Sequence, residues 1–154
     1  MAELKDIIAY YCKQYPHKAE LSKARLTKMV YLADWKSAID RGKQVSNIQW
    51  VYNHYGPYVD DVANVAQNDS IFDIQSTTNM FGGNKEVVRL KSENYSPSIT
   101  NAEESILDHI ISITSTKYWN TFMELVYSTY PILKSPKYSS LDLVALAKEY
   151  QGAK

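Results

Sequence analysis

The chain has 154 residues, of which 45% are hydrophobic and 22% are charged. This length suits one domain, and the composition differs from the low hydrophobicity and high charge of disordered chains. Seventeen basic and seventeen acidic residues cancel, so no broad positive field is available to hold a phosphate backbone, and nucleic acid is disfavoured as a partner.

The first two predicted elements are helices. Apolar residues recur at spacings of three and four over residues 4–15, which predicts a helix with one buried face that ends at Pro16. A second helix is predicted over residues 23–40, with Ser22 as its cap and Gly42 after its last turn.

The second helix carries apolar residues on two roughly opposite faces, so we expect it to be the central helix of a bundle. Lys28, Tyr31 and Asp34 lie between or beside those faces. Their polar groups are therefore expected to be partly buried and to need hydrogen-bond partners.

A short strand and a third helix follow. Residues 47–55 alternate aromatic or β-branched residues with polar ones, which predicts a strand. Gly56-Pro57 interrupts this pattern, and Pro57 suits the first turn of a helix that ends near Asn68.

A β-hairpin is the next predicted element. Two strand-like runs, residues 71–78 and 86–90, are joined by a loop that contains Gly82-Gly83-Asn84. Glycine and asparagine at this position are typical of hairpin turns, because they accept a positive φ.

Three further helices and one loop are predicted after the hairpin. Thr100 and Glu103 have the spacing of a capping box, a short aromatic helix precedes Pro131, and a last helix begins near residues 139–140. Residues 128–140, with two prolines and two lysines, are predicted to be an exposed functional loop. The expected fold is mainly α, a helical bundle around a central helix with a small β-hairpin, in a single domain over residues 1–154.

The cellular compartment and the tyrosine content give two further expectations. No basic region followed by an apolar stretch opens the chain, and no apolar run approaches the roughly 20 residues that cross a bilayer. The single cysteine, Cys12, suits a reducing compartment, so we expect a cytoplasmic protein without a membrane partner. Tyrosines number thirteen against three phenylalanines, and their amphipathic rings suit interfaces as well as core edges.

Patterns for catalysis and metal binding are weak. His17, His54 and His109 lie in different predicted elements, and no glycine-rich phosphate loop or serine elbow is present. We therefore predict no catalytic, cofactor-binding or metal-binding residue. An enzyme that uses Asp34 and His54, with Lys28 beside them, is an alternative, although a structural ion pair on the second helix explains Lys28 and Asp34 better.

A nucleic-acid-binding regulator is another alternative. Basic groups beside aromatic rings can hold single strands, but four charges at helical spacing are usually a solvated helix face. The basic residues concerned are Lys18, Lys23, Arg25 and Lys28.

Two separated motifs resemble one known family. The sequence LTKMVYLADW at residues 26–35 resembles the central-helix motif of the Panacea family, also called SocA-like antitoxin domains. Gly42, a strand with Trp50, and YGPY at residues 55–58 resemble its second motif in order and spacing. The similarity is most specific over residues 26–65 and extends over nearly the whole chain.

The resemblance implies an antitoxin from a two-gene toxin-antitoxin system of a bacterium, phage or prophage, which neutralises a cognate toxin by direct protein-protein binding. One family member delivers its toxin to a protease, so a proteolytic adaptor with a cellular protease as second partner is an alternative. A homodimer is also compatible with tyrosine-rich faces. The resemblance carries over these motif positions as partner-binding or scaffold residues: Lys28, Tyr31, Asp34, Trp35, Tyr55, Gly56, Pro57 and Tyr58.

Partner specificity is expected outside the two motifs. A family that meets chemically diverse toxins should keep its scaffold in the motifs and its specificity in variable surface. The predicted hairpin and residues 128–140 are therefore competing contact sites.

Overall fold

The structure is a computed structural model that describes residues 1–78 and 81–153. The predicted class, mainly α with a minor β part, is confirmed within these ranges. The helices are α1 (Leu4–Gln14), α2 (Lys23–Arg41), α3 (Asp61–Asn68), α4 (Asn101–Thr114), α5 (Trp119–Tyr127), α6 (Tyr130–Lys134) and α7 (Leu143–Gly152). The strands are β1 (Trp50–Asn53), β2 (Gly56–Pro57), β3 (Phe72–Thr78), β4 (Asn84–Leu90) and β5 (Ser140–Leu141).

Helix α2 is buried along most of its length. Its first turn is capped by the Ser22 hydroxyl, which accepts a hydrogen bond of 3.1 Å from the Arg25 N–H, and it ends at Gly42 in the left-handed conformation. All side chains over residues 25–35 are buried, and the helix contacts α1, α3, α4, α7 and β4. The polar side chains of α2 therefore have to find partners inside the protein.

Strands β2, β1 and β5 form a small antiparallel sheet in that order, with Tyr52 opposite Pro57 and Trp50 opposite Leu141. The prediction that Pro57 opens a helix is wrong. The backbone stays extended after it because the Tyr58 N–H donates to the Val51 carbonyl at 3.0 Å, and an edge strand tolerates a proline that lacks an N–H. Helix α3 begins four residues later, at Asp61.

The predicted hairpin is confirmed. Strands β3 and β4 pair in register from Phe72–Leu90 to Thr78–Asn84. The hairpin joins the helical part where the Val88 N–H donates to the Leu21 carbonyl at 2.9 Å. Buried Phe72 and Val88 then place its inner face in the core.

Residues 128–140 differ from the predicted exposed loop. They contain α6, in which Pro131 and Ile132 are buried, so only the ends of this segment are a loop. The last helix begins at Leu143 and not at residues 139–140, because Ser140 and Leu141 pair with β1 and the Asp142 carboxylate caps the helix.

The capping box predicted at Thr100 and Glu103 is confirmed at the start of α4. Among the helices of the described ranges, none has the length and apolar character needed to cross a bilayer.

Candidate functional site

Asp34 is the fully buried acceptor of a hydrogen-bond cluster that links α2 to the chain before β1. One carboxylate oxygen accepts from the backbone N–H groups of Val45 at 2.9 Å and Ser46 at 2.8 Å. The other accepts from the Ser46 hydroxyl at 2.5 Å and the Trp50 indole N–H at 2.9 Å. Burial raises the pKa of Asp34 to about 6, although these hydrogen bonds favour the charged form.

The arrangement around Asp34 changes two expectations. The described residues contain no ion pair between Lys28 and Asp34, so the predicted structural ion pair is wrong. His54 lies on the surface, where its Nδ1 is 3.0 Å from the Tyr138 hydroxyl. The set of Lys28, Asp34 and His54 considered for an enzyme is therefore not built around the Asp34 carboxylate, whose oxygens accept hydrogen bonds from the segment before β1 and from Trp50 of β1.

Tyr31 and Trp35 also lie in the interior. The Tyr31 hydroxyl is 2.8 Å from the Thr129 hydroxyl, and its ring meets the Trp50 ring edge-on at 5.5 Å. The Trp35 ring is stacked with Tyr130, with ring centres 6.4 Å apart. Through these contacts the two motif residues pack α2 against β1 and α6.

Half of the basic cluster considered for nucleic acid is internal. Arg25 is 2% exposed, and its Nη2 donates to the Tyr15 hydroxyl at 2.8 Å and to the Thr114 and Lys117 carbonyls at 2.9 Å. Lys28 is buried as well. Two of the four cations therefore do not present their charge to a phosphate backbone.

Three motif residues meet at a cavity of about 300 Å³ on the surface. Lys28 lies at its inner side, 2% exposed, with Nζ 3.5 Å from the Pro57 carbonyl and 5.2 Å from the centre of the Tyr58 ring. Burial lowers the pKa of Lys28 to about 8. The cavity is lined by Ala24, Lys28, Asn53, His54, Tyr55, Tyr58 and Trp119.

Gly56 positions the two tyrosines of the YGPY motif at this cavity. It has a φ of +95°, a conformation that favours glycine, and pairs with Asn53 across the turn between β1 and β2. The end of the Tyr127 ring packs at 3.5 Å from the place where a Cβ would stand. The motif thus turns the chain so that Tyr55 and Tyr58 both reach the cavity.

Exposed aromatic rings lie at this cavity and at a neighbouring depression. Seven large hydrophobic side chains are exposed in the described residues, and five of them, between 44% and 89% exposed, belong to this region. Trp119 borders both the cavity and a neighbouring depression of about 500 Å³. The Tyr138 hydroxyl lies within hydrogen-bond distance of His54, which lines the cavity. We call these five residues the aromatic face: Tyr55, Phe81, Tyr118, Trp119 and Tyr138.

The sequence motifs indicated Tyr55 alone among these five residues. Phe81 lies in the predicted hairpin and Tyr138 in residues 128–140, the two segments predicted as contact sites, whereas the exposure of Tyr118 and Trp119 had no signal in the sequence, because exposure depends on tertiary packing. In residues 1–78 and 81–153, no group of three or more histidine, cysteine or acidic side chains is placed to hold a metal ion.

A family model described as Antitoxin SocA-like, Panacea domain, matches residues 26–131. The chain belongs to this family. The resemblance predicted from the two motifs is thereby confirmed, and the family description supports an antitoxin role. No curated protein and no solved structure matches the chain. Contact of the eight motif residues with a partner stays a prediction.

Proposed function

We propose that this SocA-like antitoxin neutralises a cognate toxin in the cytoplasm by stoichiometric binding through the aromatic face. The observation that carries the proposal is the concentration of exposed tyrosine, tryptophan and phenylalanine at two neighbouring depressions that share Trp119. Such residues dominate the binding energy of protein interfaces, and a large exposed apolar patch is uncommon on a surface without a partner.

Tyr138 and Trp119 of the aromatic face are held in defined conformations. Tyr138 has a φ of 71°, and its backbone N–H donates to the Tyr52 carbonyl at 2.6 Å. A positive φ is unfavourable for tyrosine, and backbone strain of this kind occurs preferentially at functional sites. Trp119, the first residue of α5, packs against Phe122 with ring centres 5.7 Å apart. Rings that are already ordered lose less conformational entropy when a partner binds.

The remaining motif residues have a scaffold role in this proposal. One domain over residues 1–154, with its helices bundled around α2, would hold the face in place. Asp34, Tyr31 and Trp35 act there through buried contacts and not by touching the toxin.

The test is to express the product of the neighbouring gene in bacteria with and without this protein. We expect the product alone to stop growth, and co-expression to restore growth and yield a one-to-one complex. The double variant Tyr55→Ala with Trp119→Ala should lose both effects. Leu133→Ala, which removes an exposed hydrophobic side chain outside the two depressions, should behave as the wild type.

The same experiment separates the alternatives. Rescue without a complex, together with faster loss of the toxin in cells that contain their proteases, would replace the blocking mechanism with a proteolytic adaptor. A harmless neighbouring product that does not bind would remove the proposal. Light scattering on the purified chain reports whether a homodimer forms.

A further inference from the structure

Lys28 carries a buried ammonium group whose hydrogen-bonding capacity is little used. An ammonium offers three donors, yet the Pro57 carbonyl lies at 3.5 Å, the outer limit of a hydrogen bond, and the Tyr58 ring adds a cation–π contact. By comparison, the ammonium of Lys18 donates to two backbone carbonyls at 2.8 Å and 2.7 Å. In the described residues no carboxylate lies within ion-pair distance of Lys28.

The walls of the Lys28 cavity suit an anionic group on a short stem. Tyr55, Tyr58 and Trp119 supply aromatic surface, and no acidic side chain lines the cavity. Such walls exclude water, and the attraction between an ammonium and an anion is stronger where water is excluded. The volume of about 300 Å³ is that of roughly ten water molecules in the liquid, which accommodates one amino-acid side chain.

We infer that this cavity receives an aspartate or glutamate side chain of the toxin, whose carboxylate pairs with the Lys28 ammonium. The inference rests on the proposed function, because Tyr55 and Trp119 belong to both the cavity and the aromatic face. A protein that lies on that face covers the mouth of the cavity. The toxin is therefore the source of the carboxylate, and the aromatic walls pack against the methylene groups of its side chain.

The test compares the affinity of three variants for the purified neighbouring gene product. Lys28→Met keeps an apolar stem and removes the charge, and we expect it to weaken binding at least tenfold. Lys28→Arg keeps the charge and should retain more affinity than Lys28→Met. Lys36→Met is the matched control, because Lys36 lies on the same helix about 12 Å further along and pairs with Asp40 at 2.8 Å; it should bind as the wild type does.

A zero-length carbodiimide cross-link gives a second readout on the wild-type complex. The reagent joins an amine to a carboxylate in contact, so mass spectrometry should find Lys28 linked to an acidic residue of the toxin. Melting curves of the free variants show whether each one folds. If Lys28→Met fails to fold, the cross-link alone tests whether Lys28 contacts a carboxylate of the toxin.

The outcomes distinguish the two proposals. If the wild type binds and Lys28→Met binds within twofold of it, or the Lys28 cross-link is absent, the carboxylate inference is overturned while the antitoxin proposal stands. A Lys28 cross-link to a second copy of this chain would overturn it in favour of self-association, and a small carboxylate retained by the purified chain in native mass spectrometry would overturn it in favour of a metabolite. If the wild type does not bind, both proposals fail.

Discussion

The indole N–H of Trp50 donates a hydrogen bond of 2.9 Å to the carboxylate of Asp34, and both residues are at most 1% exposed. This bond connects the two family motifs, since Asp34 lies on α2 and Trp50 begins β1. The strand that carries the YGPY turn is thus attached to α2 by a charge-assisted bond in the interior. A buried carboxylate that loses a donor is costly, because water cannot replace it.

We expect Trp50→Phe to lower the free energy of unfolding by about 2–4 kcal/mol. The change removes the indole donor and part of a buried ring, and hydrogen bonds to charged groups are the stronger ones. Urea unfolding followed by circular dichroism measures the loss. Trp119→Phe, at a partly exposed ring, is the matched control and should change stability by less than about 0.5 kcal/mol. Equal effects at both positions would contradict the structural role of the Asp34 bond.

Lys28 predicts an unusual pH dependence of stability. Its pKa is about 8 in the folded chain, below the ordinary value of 10.5, so the unfolded chain binds more protons above pH 8. The Lys28 contribution to stability should therefore rise with pH, by about 1 kcal/mol from about pH 7.5 to about pH 9, and the buried Cys12 thiol, whose pKa burial raises to about 12, offsets part of this rise. Lys28→Met should abolish this rise and be at least as stable as the wild type at neutral pH, because the uncompensated buried charge is gone.

The pH window ends below 10 because buried tyrosines act in the opposite direction. Burial raises the pKa of Tyr11 and Tyr31 above their ordinary value, so the folded chain retains those protons longer and stability falls at higher pH. Denaturant titrations of the wild type and Lys28→Met, each at several pH values, isolate the Lys28 contribution. Parallel curves for the two proteins would show that Lys28 titrates normally.

Gly56→Ala should destabilise the chain by about 1–2 kcal/mol, because its φ of +95° is unfavourable for any residue with a Cβ. Gly152→Ala is the matched control. Gly152 lies in α7 with open space around it, and alanine there should be neutral or stabilising. Thermal unfolding measures both variants. A neutral Gly56→Ala would mean that the YGPY turn relaxes at no cost.

Arg25→Lys should cost about 2–4 kcal/mol. The guanidinium uses two nitrogens, Nη2 for three acceptors and Nη1 for Glu20 at 3.5 Å, and lies 4.3 Å from the centre of the Phe122 ring; a lysine ammonium has one nitrogen and cannot reproduce this planar arrangement. Lys23→Met is the control, since its ion-pair partner Glu86 has a side chain that is 54% exposed, and ion pairs at the surface contribute little. Chemical denaturation compares them. Equal losses would place Arg25 among ordinary surface cations.

Local signals made much of the fold predictable. Helix ends depend on residues that are close in sequence, such as Ser22, Gly42 and the Thr100–Glu103 capping box. The structure has these helix ends where they were expected. Pairing over longer distances was not predictable. Pro57 lies in a strand because it pairs with Tyr52 of β1. The last helix begins later than predicted because the residues before it form β5, which pairs with β1.

The candidate site was predictable in part. The positions of Lys28 and Asp34 between two apolar faces correctly indicated buried polar groups. Their partners lie on other elements, however, and the expected ion pair between them does not form. The aromatic face needed the fold, since the sequence predicted exposure for the segment that contains Tyr138 but did not bring that residue next to Tyr55 and Trp119.

The pairing of β5 with β1 also has a consequence for the timing of synthesis. The Tyr138 N–H donates to the Tyr52 carbonyl, and the Tyr52 N–H donates to the Ser139 carbonyl at 2.9 Å. A nascent chain that has produced both family motifs still lacks this strand and has an unpaired edge on β1. Contacts between residues so far apart form late and slow folding. On the mechanism proposed above, the cell is protected by finished antitoxin molecules and not by chains still on the ribosome.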